Sequence, residues 1–208
     1  MARYTGPTMK KVRSLGEEFA LSADRAVGVK YTKLHRKQPP GSHGKKRTFT
    51  RTTGYGQQLK EKQKARVFYH LTEKQMKKYY TAGKRQTDST DIALLAGLES
   101  RLDNIVYRAG LADSHPMARQ AVSHGHFAVN GRKVDIPSIH IRPGDVITGV
   151  SSRPALKTKL QELARGNKPV SWLKVDPEQL KIEMTSVPTR DEIEVPFNER
   201  LIIEFYSK

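Results

Sequence analysis

Residues 117–132 read MARQAVSHGHFAVNGR, and the periodicity changes halfway through them. Ala118, Ala121 and Val122 recur at helical spacing, leaving Arg119, Ser123 and His124 for the opposite, polar face. Gly125 stops that helix. Phe127-Ala128-Val129 then runs into Asn130-Gly131, a dipeptide whose two residues tolerate positive φ and so make a tight hairpin turn. Arg132-Lys133-Val134 returns. A helix feeding directly into a short antiparallel hairpin predicts an α+β unit.

The neighbouring sequence extends that unit in both directions. Upstream, Ser114 and His115 precede Pro116, a helix-start signal. Before it, Ile92, Leu95, Leu98, Leu102, Ile105, Val106 and Ala109 recur at steps of three and four, which predicts a long amphipathic helix over residues 91–110. Gly97 is a point where it kinks or splits, and Gly110 ends it. Downstream, Ile139 and Ile141 alternate with polar residues, and Pro143-Gly144-Asp145 turns the chain into Val146-Ile147. A helix over about 153–165 and short strands over 172–175 and 181–184 follow. Residues 198–206 are apolar through Leu201, Ile202, Ile203 and Phe205, and their period does not choose between helix and strand.

The charge is unevenly placed. The chain has 208 residues and a formal net charge of +17. Residues 1–86 hold 22 Lys and Arg against 5 Asp and Glu, and residues 87–208 hold 16 of each. A polyphosphate partner gripped by the first part accounts for such an excess better than a solubility bias does. The second part would then read by shape and the first supply affinity. Residues 1–54 look irregular: Pro39-Pro40-Gly41 blocks helix, and Gly41, Gly44 and Gly54 punctuate a polar stretch. Two basic helices are expected next. The first spans about 56–70, with Lys60, Lys62, Lys64 and Arg66 on its surface and a narrow apolar stripe of Leu59, Val67, Phe68 and Leu71. The second starts at Thr72, where Thr72-Glu73-Lys74-Gln75 matches a capping box. Met76, Tyr79 and Tyr80 form its apolar side, and Lys74, Lys77 and Lys78 its basic side. There are no cysteines, so disulfides and thiolate metal sites are excluded. No apolar run approaches the roughly 20 residues that span a bilayer.

The 117–132 stretch closely resembles the small RNA-binding module named after ribosomal small-subunit protein four, two helices on a short sheet. The flanks narrow the resemblance to the bacterial ribosomal small-subunit protein four family. MARYTGP at 1–7, PPGSHGKK at 39–46, YGQQLKEKQKAR at 55–66 and FNERLIIEFYSK at 197–208 each look like that family, in the right order. The similarity covers the whole chain and is weakest over about 184–195. It implies a mostly helical first lobe with an extended basic N-terminal arm, and an inserted RNA-binding module of two helices on a short antiparallel sheet. In those terms residues 1–54 are the arm. Residues 55–90 are the helical lobe, completed by 185–208. Residues 91–184 are the lobe containing the module, whose core is about 99–160. Residues 198–206 become a helix packed on the first lobe.

The resemblance further implies a primary binder of small-subunit rRNA that docks in the 5′ domain and nucleates assembly of the subunit body. Expected partners are small-subunit rRNA, small-subunit protein five, an interface that influences decoding accuracy, and mRNA where it enters the subunit. The expected location is the cytoplasmic ribosome. Carried over onto the module, the RNA-facing residues are Arg108, Arg119, His124, Asn130 and Arg132. In the basic part the candidate rRNA contacts are Arg3, Lys10, Lys11, Arg13, Arg36, Lys37, His43, Lys45, Lys46, Arg47, Arg51, Tyr55, Gln58, Lys60, Lys62, Arg66, Lys77, Lys78, Lys84 and Arg85. Lys45, Lys46 and Arg47 are also candidates for incoming mRNA. One departure stands out: many family members carry a four-Cys zinc site in the arm, and His35 and His43 alone could not complete one. No metal and no cofactor is expected.

Two other classes compete. Ser100-Arg101-Leu102-Asp103 superficially resembles the Arg-Leu-Asp motif of pseudouridine synthases, but Asp103 falls inside the amphipathic helix and overlaps the RNA module. No remaining segment is large enough for a catalytic domain, so no enzyme is expected. A free RNA chaperone or ribosome-rescue factor would lack the basic arm and the matching tail.

Overall fold

The computed structural model describes residues 4, 6–23, 25–41, 53–86, 89–150 and 154–207. They divide into two compact units, Met1–Leu94 with Glu194–Lys208, and Leu95–Ile193.

The first unit is helical. It begins with α1 (Thr8–Leu15), α2 (Glu17–Ser22) and α3 (Arg25–Thr32). These correct the irregular reading of residues 1–54 over this stretch. Val12, Leu15, Phe19, Ala20 and Tyr31 are buried; that many inward apolar side chains let the segment pack against itself and against α4 (Gly54–Phe68). Gly16, at φ 115°, turns the chain between the first two helices, a backbone region open to glycine. The Thr53 hydroxyl caps α4 by accepting from the Gly56 N–H at 3.2 Å. At α5 (Glu73–Gly83) the anticipated capping box is present, with Gln75 Oε1 accepting from the Thr72 N–H at 3.0 Å. Met76 and Tyr80 are buried on its inner side.

The buried positions on α4 are Gln58, Lys62, Ala65 and Phe68; of the narrow apolar stripe read from the sequence, Phe68 and Leu71 are buried and Leu59 and Val67 only half-buried. The reason lies at the other end of the chain. After α6 (Thr90–Glu99), which leads into the second unit, the chain returns as α10 (Glu199–Ser207) and packs on α4 and α5. Residues 198–206 are thus helical, as the resemblance implied. Ile202 is fully buried, and Phe197 joins Phe68 and Tyr69 in an edge-to-face aromatic cluster.

The second unit holds α7 (Leu102–Arg108), α8 (His115–Ser123), β1 (Phe127–Val129), β2 (Arg132–Val134), β3 (Val146–Gly149), α9 (Pro154–Gly166), β4 (Leu173–Asp176) and β5 (Lys181–Met184). The five strands form one antiparallel sheet in the order β2-β1-β3-β5-β4. Phe127 faces Val134 and Val129 faces Arg132 across the hairpin. Asn130 at φ 49° and Gly131 at φ 80° make the expected turn. Ser114 caps α8, with Pro116 in its first turn. Leu102, Ile105, Val106, Ala118, Val122, Phe127, Ile147, Trp172 and Ile182 build the core.

The long helix expected over residues 91–110 is broken, but at Ser100 and Arg101, not at Gly97. The Leu102 N–H donates to the Ile139 carbonyl at 2.9 Å, the Ile141 N–H donates to the Ser100 carbonyl at 2.8 Å, and Arg101 bridges His140. A passing segment captures the backbone there, and two residues leave the helical ladder. Gly97 stays inside α6.

Candidate nucleic-acid interface

Among the described residues the cations fall into two populations, those spent inside the protein and those left on its surface.

In the first unit the interior population fastens the last helix. Lys62, 5% exposed, places its ammonium 3.0 Å from Glu73 Oε1 and 4.0 Å from the centre of the Phe205 ring. Arg66 lies 3.0 Å from Glu73 Oε2. The Tyr206 hydroxyl donates to Glu73 Oε1 at 2.7 Å. Burial by itself would raise the Glu73 pKa, but the hydrogen bonds from Tyr206 and Lys62 and the charges of Lys62 and Arg66 outweigh it and hold it below the usual glutamate range. Burial first, and then the bond to Glu73, push the Tyr206 phenol upward. Gln58, 7% exposed, donates to Glu204 Oε2 at 2.9 Å. Glu61 accepts from the Asn198 N–H at 2.9 Å and pairs with Lys64 at 2.7 Å. Gln58 and Lys62 are therefore not surface residues, and Arg66 is half-buried.

The surface population of this unit centres on α5. Lys74, Lys77, Lys78, Thr81, Ala82 and Arg85 line one shallow depression. All six are exposed. Positions 74, 77, 78, 81, 82 and 85 are steps of three and four, so the turn of the helix stacks them on one side. None of these four cations pairs with an acidic group among the described residues; the nearest acid in sequence, Glu73, turns inward to Lys62, Arg66 and Tyr206. Lys84 is exposed too, as are Lys10, Arg36, Lys37, Tyr55 and Lys60. Arg13 is half-buried, and its guanidinium donates to the Arg36 carbonyl at 3.2 Å. The Tyr55 ring sits 5.6 Å from that of Phe205. The Lys37 ammonium stands 5.7 Å from the Tyr31 ring centre. Lys74 belongs to the basic side read from the sequence, although it is absent from the candidate contacts. Arg3, His43, Lys45, Lys46, Arg47 and Arg51 lie outside the described residues.

In the second unit two ion networks occupy the helical side of the module. Glu99, fully buried, takes a two-pronged contact from Arg108, with Nε at 3.0 Å and Nη2 at 2.6 Å. Asn104 donates to the Glu99 carbonyl at 3.2 Å, and its own Oδ1 lies 2.9 Å from His115 Nε2. The His115 ring stacks on Tyr107 at 4.0 Å. Beside them Arg101, 1% exposed, grips Asp103 through Nε at 2.9 Å and Nη2 at 2.6 Å. Arg119 adds a second cation, 3.9 Å from Asp103 Oδ2. Arg119 is 7% exposed, so the polar face on which the sequence puts it is an inner face. The polar side of α8 meets the first turn of α7, which supplies a carboxylate in place of water. Asp103 is thus held by two guanidiniums.

His124, Asn130 and Arg132 are exposed. The Asn130 amide donates to Asp145 Oδ1 at 2.8 Å and accepts from the Val146 N–H at 3.0 Å, which ties the hairpin turn to β3. Lys133, also exposed, runs across Gly125: a Cβ there would fall 2.6 Å from Lys133 Cε. This brings a second hairpin cation beside the end of α8, next to His124. His126 lies 5.9 Å from His124, ring to ring. The outer edge of the module thus presents His124, Arg132 and Lys133, while Arg108 and Arg119 work from behind it.

The sequence matches two family models, the ribosomal protein S4/S9 N-terminal domain over residues 3–99 and the S4 domain over residues 100–147. It is 47% identical over 212 residues to "Small ribosomal subunit protein uS4" of Mycolicibacterium smegmatis. It is 44% identical over 209 residues to "Small ribosomal subunit protein uS4A" of Symbiobacterium thermophilum, and 43% identical over 208 residues to the uS4 protein of Gloeobacter violaceus. Each comparison covers 100% of both chains.

Proposed function

The chain belongs to the ribosomal protein S4 (uS4) family, which is structural and not enzymatic, and from that membership we propose that it binds small-subunit rRNA as a constituent of the small ribosomal subunit. The observation that carries the RNA-binding reading is the exposed, unneutralised row of Lys74, Lys77, Lys78 and Arg85 on α5. A rigid helix face with cations at steps of three and four suits a run of backbone phosphates, because each contact releases condensed counterions. Phosphate contacts of this kind set position, and the shape of the module edge at His124, Arg132 and Lys133 would add fit.

In the finer reading the chain is a primary binder of the 5′ domain that nucleates assembly of the subunit body. It meets small-subunit protein five at an interface that affects decoding accuracy, and residues 45–47 border the channel where mRNA enters. It acts in the cytoplasmic ribosome. Residues 1–54 serve as a basic arm. Residues 55–90 with 185–208 serve as the helical lobe, and residues 91–184 as the lobe carrying the module. Membership of the family supports this layout; the compact division near residues 94 and 193 agrees with two lobes, but groups residues 1–54 with the helical lobe and 185–193 with the module's unit.

Sedimentation of cell extract in high salt tests the structural role. A constituent stays with the small subunit after the wash. Release of the chain into the supernatant at salt concentrations that leave other subunit proteins in place would make it a free RNA chaperone or rescue factor instead.

A further inference from the structure

A small cleft separates α1 from α4 in the first unit. Tyr4, Lys11, Gln63, Arg66 and His70 are on its walls. It encloses about 20 Å³, room for about one water-sized atom. The Lys11 ammonium stands 3.3 Å from the centre of the Tyr4 ring, and among the described residues it has no hydrogen bond and no ion pair. Burial and then the nearby Arg66 charge lower its pKa, the signature of a desolvated cation facing another cation. Arg66 spends one guanidinium nitrogen on Gln63 at 3.1 Å and on Glu73 at 3.0 Å, but its buried Nε–H has no partner. Tyr4 can turn back over Lys11 because Gly6 has no side chain; a Cβ there would fall 2.5 Å from the Tyr4 hydroxyl.

Lys11 and Arg66 thus bring unused donors to a gap the size of one oxygen, and a partly desolvated cation such as Lys11 is costly without an anion. Glu73 already offsets Arg66 at 3.0 Å, but no ion pair reaches Lys11 among the described residues, and Glu61 is taken by Lys64 and Asn198. An oxygen of a tetrahedral phosphate fits both the size and the charge, and would accept from Lys11 Nζ and Arg66 Nε together. We propose that this cleft is a discrete phosphate site, where one phosphate group inserts an oxygen between Lys11 and Arg66 under the Tyr4 ring. The inference rests on the RNA-binding reading and sharpens it. A surface row of lysines tolerates sliding along a backbone, whereas a cleft that admits one oxygen fixes a register.

The test uses the full-length chain and a transcript of the 5′ domain of small-subunit rRNA, with randomly ethylated phosphates. For the wild type, one ethylated phosphate should strongly block binding in addition to the weaker positions. Lys11→Met should abolish that one interference and lower affinity about tenfold. Lys11→Arg, which keeps the charge, should retain the interference, and Lys33→Met, the same change at an exposed lysine outside the cleft, should leave the pattern intact. A second arm titrates the free protein with inorganic phosphate and follows the Lys11 and His70 NMR signals. A saturable shift that Lys11→Met abolishes also upholds the site and identifies free phosphate as a source. An unchanged interference pattern in Lys11→Met with a flat phosphate titration overturns the proposal and leaves the cleft to water. Failure of the wild type to bind the transcript at all, with a saturable inorganic phosphate shift, would sink the rRNA reading but not the site.

Discussion

Arg119 and Asp103 face each other across 3.9 Å inside the second unit, with Arg101 closing on the same Oδ2 at 2.6 Å. One buried acid is thus shared by two guanidiniums from α8 and the start of α7. Removing that acid takes a shared counter-charge from two buried cations. Asp103→Ala should destabilise the second unit by about 3–5 kcal/mol, read from the denaturant midpoint. Arg119→Ala should also lower stability, and should weaken rRNA binding no more than the loss of folded protein explains. A variant of unchanged stability but poor RNA affinity would return Arg119 to the RNA-facing edge.

Glu73 ties α10 to α4 and α5 through Lys62, Arg66 and Tyr206. Its pKa is depressed in the folded protein. Its contribution to stability is therefore complete above the unfolded glutamate pKa and is lost as pH falls through the lower, folded value. Tyr206→Phe removes one of the hydrogen bonds responsible. It should cost about 1 kcal/mol near neutral pH, a value kept small because the Glu73 side chain is 42% exposed. It should also move the acid unfolding midpoint upward. Circular dichroism against pH for both proteins measures the shift, and superimposable acid transitions would show that the contact contributes nothing.

The Asn130 side chain makes its two bonds to Asp145 and to the Val146 N–H from a left-handed backbone position. Asn130→Ala loses both and leaves alanine in a left-handed backbone region that Asn occupies more readily, for a cost of about 1–2 kcal/mol. Asn130→Gly relieves the strain without restoring the bonds and should fall between the two. Thermal melts rank the three proteins. An alanine variant as stable as wild type would free Asn130 for a purely RNA-facing role.

What could be read from the sequence was what is local in space. Asn130-Gly131, the Thr72 to Gln75 box and the Ser114–Pro116 helix start each depend on neighbours a few residues away, and each is present. What was hidden depends on distant partners. A helical wheel assigns Arg119 and Lys62 to polar faces, because it does not carry Asp103 of another helix or Phe205 and Tyr206 from the end of the chain. The break at Ser100 and Arg101 is imposed by Ile139 and Ile141, some 40 residues later. In residues 8–32 the basic residues and Gly16 masked the spacing of Val12, Leu15 and Phe19. The same blindness affects the interface. Charge counting treats Lys62, Arg119 and Lys77 alike, yet only Lys77 is exposed.

We propose that surface cations on α5 grip RNA, while interior cations hold the fold. The most direct test is the salt dependence of binding to the 5′ domain of small-subunit rRNA by wild type and by the Lys74→Ala, Lys77→Ala, Lys78→Ala triple variant. The variant should fold with wild-type stability and bind more weakly, with a log–log salt slope shallower by about two to three. A slope equal to that of the wild type, with affinity unchanged, would contradict the account and move the grip off α5.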